Sequence, residues 1–174
     1  MAPEQEIEII ETLEKSSQDL HAAVEGIDEA KARTRPAEER WSVLECVEHV
    51  ATAERRFLGR LESAVRLDSP SIDPQREARV LAMVIDRGER RQAPEMVQPS
   101  GRFASLADAL ADFDSTRAQV IQFAEARYSE LRTLAGQHPI FGQVTGYELM
   151  LIIAGHACRH AAQIREARAA VAGA

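Results

Sequence analysis

Apolar residues recur at helical intervals in four long stretches of this chain. Ile10, Leu13, Leu20, Val24 and Ile27 form the first stripe, with Ser17 filling its gap. They predict a helix from about Pro3 to Ile27, and Thr34-Arg35-Pro36-Ala37 breaks the pattern after it. The second helix opens on Ser42-Val43-Leu44-Glu45, a capping box with Ser42 as N-cap and Glu45 three residues on. Val43, Val47, Val50, Phe57, Leu61 and Val65 carry its stripe to about Leu67, where Asp68-Ser69-Pro70-Ser71 ends it. A third helix runs from Ser105 to about Tyr128 through Leu106, Leu110, Phe113, Val120 and Phe123, with Arg117 as its polar exception. Thr145-Gly146-Tyr147-Glu148 is another capping box, opening a last helix from about Gly146 to Val171. Its alanine-rich tail is expected to fray.

The connections are less regular. Between the second and third helices, Val80, Leu81, Val84 and Ile85 predict a short helix within Arg76 to Arg91, and residues 93–101 are loop chemistry. So long a link suits a crossover, not a tight hairpin. Gly136 to Gly142 reads as a turn-rich connection, and no strand run, internal repeat or low-complexity segment stands out. The pattern predicts an all-α protein, one domain over residues 1–174, built as a four-helix bundle with a long crossover between helices 2 and 3.

Composition agrees with a helical domain. The 174 residues are 45% hydrophobic and only 5% aromatic, enough for one core. The formal net charge of -7 argues against a nucleic-acid footprint and against an anionic membrane surface. The longest apolar stretch, Leu149 to Ala157, is interrupted by Gly155 and His156 and falls short of the about 20 residues a membrane span needs. The N-terminus is acidic and lacks an apolar signal core. Two cysteines, Cys46 and Cys158, each inside a helical pattern, read as thiols in a reducing compartment. A cytoplasmic protein is expected.

The candidate chemistry lies in histidines. His156 and His160 are four residues apart on the last helix, so they sit roughly 40° apart on one face and about 6 Å apart along the axis. Leu149, Ile152, Ile153, Gln163 and Ala167 share that face, which points it at the core. Buried imidazoles need partners for their nitrogens, and a metal ion is one solution; ordinary hydrogen bonding is another. A third ligand must come from another helix. His49, at the edge of the second stripe beside Val50 and Ala53, is the best placed, unless it is a rim histidine with its tip in water.

Two segments resemble a known family. Trp41-Ser42-Val43-Leu44-Glu45-Cys46-Val47-Glu48-His49-Val50 is similar to the start of the second helix in DinB-like proteins. Gly155-His156-Ala157-Cys158-Arg159-His160-Ala161-Ala162-Gln163-Ile164 is similar to their last-helix motif, and His138 to Thr145 to the loop before it. The resemblance implies a metal-binding four-helix bundle in which His49, His156 and His160 hold one divalent ion, often zinc or nickel. It also implies kinship with bacillithiol S-transferases and mycothiol-dependent maleylpyruvate isomerases, hence a low-molecular-weight thiol co-substrate, and it makes a homodimer plausible.

Three imidazoles leave an ion its full charge and one open position, which suits activation of water or a thiol. Gln163, one turn past His160, and His138, in a loop before proline, are the candidates to orient ligands or face substrate. Glu45 is explained by its capping role. Cys158 points roughly 160° from both helix-mate histidines, and Cys46 reads as a small buried thiol. His21 reads as a surface residue, and Arg159 as an ion-pair former. No glycine-rich phosphate loop, Ser-His-Asp set or paired-carboxylate motif is present. The expected function is a metal-dependent transferase or hydrolase of a small molecule, against a non-catalytic metal-binding or assembly module.

Overall fold

The computed structural model describes residues 2–89 and 91–172. Four long helices form the bundle: α1 (Ala2–Val24), α3 (Val43–Glu62), α5 (Leu106–Arg127) and α6 (Gly146–Ala172). Two shorter ones, α2 (Glu29–Arg33) and α4 (Pro74–Ile85), lie in the connections. Both capping boxes form as the sequence predicts. Glu45 N donates to Ser42 Oγ at 3.2 Å while Ser42 N donates to the Glu45 carboxylate at 2.8 Å. The Thr145–Glu148 pair makes the same two bonds, at 3.1 and 2.8 Å. These boxes fix where α3 and α6 begin, and so the axial position of every histidine on them.

The helix ends differ from the periodic reading. The first helix stops at Val24, not Ile27, and the second at Glu62, not near Leu67. Beyond Glu62 the chain enters β1 (Val65–Arg66), which pairs antiparallel with β2 (Leu134–His138), and β2 pairs with β3 (Gly142–Thr145). The connection from Gly136 to Gly142 is therefore a β-hairpin. The three strands are short, contain two glycines and carry no alternating pattern, so period-2 reading has nothing to detect. The short crossover helix begins at Pro74 and ends at Ile85, ahead of Arg91; Arg90 lies outside the described residues, as do Gly173 and Ala174 of the alanine-rich tail.

α1 packs against α5 and α6, and α3 packs against the same two helices. Helices consecutive in the bundle, α1 with α3 and α5 with α6, therefore sit across it from each other. A diagonal step is longer than a step to a neighbour, which accounts for the α2 segment and for the strands that precede α6. α4, in the long link between α3 and α5, packs on α6. It comes down where α6 has Gly155: a Cβ there would lie 3.1 Å from both Leu81 and Val84. With α1, α3 and α4 around it, α6 is buried on all sides from Gly146 to Gly155. That explains a run too apolar for an ordinary amphipathic surface helix. No described helix is long and apolar enough to cross a membrane.

A polar contact also ties the core together. Arg117, the exception in its stripe, is 3% exposed and faces Glu54, which is 2% exposed. Its guanidinium donates to Glu54 through Nε at 2.5 Å and Nη2 at 2.8 Å, and through Nη1 to the Ser16 hydroxyl and the Leu13 carbonyl. Ser16, not Ser17, therefore fills the gap in the first stripe, because the arginine needs an acceptor there. Bidentate pairing and the extra acceptors satisfy both charges away from water. Replacing Glu54 by Leu should cost about 3–5 kcal/mol in urea denaturation by stranding Arg117. A Glu54→Leu, Arg117→Met double variant should recover most of that loss, and a double variant no better than the single one would refute this account.

Candidate metal centre

Three histidines from two helices meet at one point. The cap at Ser42 sets the turn of α3 that carries His49, and the one at Thr145 sets the two successive turns of α6 that carry His156 and His160. One nitrogen of each ring lies within 4.8 Å of the others. The ring centroids are 4.5 Å apart for His49 and His160, 4.5 Å for His156 and His160, and 5.0 Å for His49 and His156. His49 is 4% exposed, so the rim reading fails: its tip faces the interior.

Two of the rings are oriented by fixed partners. His49 Nδ1 lies 2.8 Å from the carbonyl oxygen of Val97, an acceptor, so Nδ1 carries the proton and donates it. His160 Nδ1 likewise donates to Gln163 Oε1 at 2.9 Å. Both rings are thereby left with a bare Nε2. His49 Nε2 and His156 Nε2 face each other at 3.1 Å. Two nitrogens bound tetrahedrally at about 2.0–2.1 Å from one ion such as zinc lie roughly 3.3 Å apart, so the spacing fits a shared ion. Burial, reinforced by the neighbouring imidazoles, pushes the pKa values of His156 and His160 well below the ordinary histidine range. Burial also lowers His49, against the opposing hydrogen bond to Val97. The cluster is neutral at pH 7, the state a metal requires.

The surroundings are aromatic and roomy. Trp41 packs 4.8 Å from the His49 ring, and Phe57 meets His156 edge-on at 5.7 Å. A cavity of about 810 Å³ lies against the three histidines, walled by Trp41, Phe57, Met96, Phe141, Ile152 and Gln163 among others. His138 lines it as well, stacked 6.0 Å from Phe57. Its Nδ1 accepts from the backbone N–H groups of Ile140 and Phe141, which leaves Nε2 as the donor. Burial and the Arg60 charge push His138 down to about 4, so it too is neutral at pH 7.

The other sequence candidates fall elsewhere. Cys46 is buried and its thiol is pushed up to about 12, mainly by burial; neither it nor Cys158 belongs to the cluster. Glu45 caps α3 and pairs with Arg35. His21 pairs with Asp114 at the surface, at 2.7 Å. Arg159 makes no ion pair among the described residues and donates to the carbonyls of Asp86 and Glu89 at the end of α4.

Sequence reasoning missed two supports. The Val97 carbonyl comes from a 3-10 turn at Glu95–Val97 in the crossover and has no side-chain signature. Glu48, 2% exposed, holds that crossover in place. Its carboxylate accepts from Ser100 N at 2.7 Å, Ser100 Oγ at 3.1 Å and Gly101 N at 3.1 Å. Gly101 has a φ of 75°, which a side chain would strain. Only the place of Glu48 beside His49 is visible in the sequence; its burial is not.

Comparison with known proteins agrees with this architecture. The DinB superfamily model matches residues 12–164, so the chain belongs to that superfamily. The uncharacterized protein YuaE of Bacillus subtilis (strain 168) is 25% identical over 143 residues, covering 82% of this chain and 86% of YuaE. Among solved structures, YfiT from Bacillus subtilis superposes with a TM-score of 0.63 at 19% identity, covering 95% of this chain and 87% of that one. YfiT is described as a probable metal-dependent hydrolase with an unusual four-helix bundle topology.

The depressed histidines predict how metal-free protein responds to acid. Unfolded imidazoles protonate near about pH 6.5, whereas the folded ones stay neutral, so below that pH the unfolded state binds more protons. Stability is therefore full above about pH 6.5 and is lost as the pH falls below it. The urea midpoint of metal-free protein should drop between pH 7 and pH 5, and a His49→Gln, His156→Gln, His160→Gln variant should show a much shallower drop. Equal slopes would mean that the cluster is not held neutral.

Proposed function

We propose that this DinB-superfamily protein is a divalent-metal-dependent enzyme whose ion, zinc or nickel, is held by His49, His156 and His160. The substrate would be a small molecule attacked by a nucleophile that such an ion would activate. One observation supports this most: three neutral imidazoles with two Nε2 atoms 3.1 Å apart border an 810 Å³ cavity. A closed structural site would normally have a fourth protein ligand, and no cysteine or carboxylate joins this cluster among the described residues.

When bound, the ion supplies Lewis acidity and lowers the pKa of a water or thiol it holds. The chain's own residues do the rest. The Val97 carbonyl and the Gln163 side chain keep protons on Nδ1 of His49 and His160, so that Nε2 stays available. Trp41 and Phe57 exclude water from the flanks of the imidazoles. His138 offers an Nε2–H donor to a substrate oxygen. The open cavity favours catalysis over a non-catalytic metal-binding module, which needs no space for a substrate. The description of YfiT supports hydrolysis as the first reaction to test. Transfer of a low-molecular-weight thiol to an electrophile is the second, on the resemblance in the His49 and His156–His160 motifs.

Elemental mass spectrometry should find about one divalent ion per chain, absent from a His156→Ala, His160→Ala variant. Hydrolysis of ester, amide or phosphoester panels, or thiol transfer, should then depend on the loaded metal. Failure to bind zinc or nickel would remove the basis for catalysis. Gln163→Leu, which removes the acceptor for His160 Nδ1, should weaken metal binding about 10–100-fold in a chelator competition while leaving the fold intact.

A further inference from the structure

The cavity is cationic in a protein that is not. Against a formal net charge of -7, its wall carries six arginines and three glutamates. Glu166 is already shared by Arg87, at 2.6 Å, and Arg40, at 3.6 Å. Arg56, Arg60, Arg91 and Arg159 have no carboxylate within 4.0 Å among the described residues. Arg87 keeps a buried Nε with no hydrogen-bond partner. An arginine cluster is usually a solvated face, but Arg60 is half-buried, and solvent does not repay its lost hydration there. Burial and the neighbouring Arg56 cation both push its pKa down, and no carboxylate among the described residues offsets either effect.

Placement gives these cations a direction. Arg56 and Arg60 follow His49 by seven and eleven residues on α3, so all three lie within about 20° of one face. They rise roughly 10 and 16 Å beyond it, and helical side chains lean back toward the N-terminus, that is, toward His49. The Arg60 guanidinium sits 5.6 Å from the Phe57 ring centroid, and the same ring meets His156 at 5.7 Å. Arg56 reaches across to the Met96 sulfur at 2.7 Å. A guanidinium presents paired donors that match a carboxylate or phosphate, and one over an aromatic face is pre-organised to do so.

We propose that the cavity takes a small organic anion whose carboxylate or phosphate end is held by Arg56 and Arg60, with its apolar body on Phe57 and Phe141 and its reacting end at the three histidines. This rests on the catalytic reading for the reacting end alone. The anion contacts stand on the arginines themselves and exist with or without a metal ion.

Calorimetric titration of phenyl phosphate and benzoate into zinc-loaded and metal-free protein separates the two readings. Phenyl phosphate should bind both forms and weaken as salt rises, and its ranking against benzoate distinguishes phosphate from carboxylate recognition. An Arg56→Gln, Arg60→Gln variant should bind at least about tenfold more weakly, a loss of roughly 1.4 kcal/mol, with metal content unchanged. Arg60→Lys, which keeps the charge but loses the paired donors and the flat contact with Phe57, should bind more weakly than wild type and more tightly than the double variant. Arg66→Gln should behave as wild type, since Arg66 pairs with Glu130 and does not line the cavity. The proposal is overturned if wild-type protein shows no saturable binding, if the double variant binds within twofold of it, or if Arg60→Lys binds as weakly as the Arg56→Gln, Arg60→Gln variant. A protein that binds phenyl phosphate but no metal would keep this inference and lose the catalytic one.

Discussion

An imidazole moved from water into an apolar interior still has two polar nitrogens to satisfy, and this chain brings three imidazoles to one point. Each ring can donate from one nitrogen and present a lone pair from the other. Val97 and Gln163 take the donors of two rings, which turns the lone pairs inward. The converging lone pairs repel one another unless a proton or a cation lies between them. Much of the surrounding structure serves that arrangement: two capping boxes set the helices in register, and an acid–loop contact fixes the carbonyl that orients His49.

The long link between α3 and α5 matters more than its irregular sequence suggests. It supplies α4, which covers the outer side of α6 at Gly155 and makes that helix a buried strut. It supplies the Val97 carbonyl. It also supplies Met96 and Arg87 to the cavity wall. Glu48 fastens its later part to α3 one residue before His49, the histidine whose ring the same link orients through Val97. The bundle interior is held separately, by apolar packing and by the Glu54–Arg117 pair, whose charges are satisfied within the core.

Arginines find carboxylate partners unevenly across the molecule. Outside the cavity, arginines mostly have carboxylate partners, as Arg66 has Glu130 and Arg165 has Asp19. Inside it, most do not. Surface pairs of this kind contribute little to stability, so the contrast bears little on folding.

Helix class, both capping boxes and the pairing of His156 with His160 were legible in the sequence, because each depends on residues within a turn or two of one another. The motifs around His49 and His156 also carried the superfamily. The sheet was not legible: β1, β2 and β3 are short and unpatterned, and although β2 and β3 form a local hairpin, β1 joins them only by pairing Val65 with Ala135, far along the chain. Nor was the depth of His49, since a stripe edge becomes interior only when a crossover loop closes over it. The Val97 carbonyl left no trace in any side chain, and the unpartnered state of Arg60 depends on which carboxylates fail to come near. Local periodicity and capping are short-range physics and can be read along the chain. Convergence, burial and the absence of a partner are properties of three-dimensional neighbours, which only the tertiary structure decided.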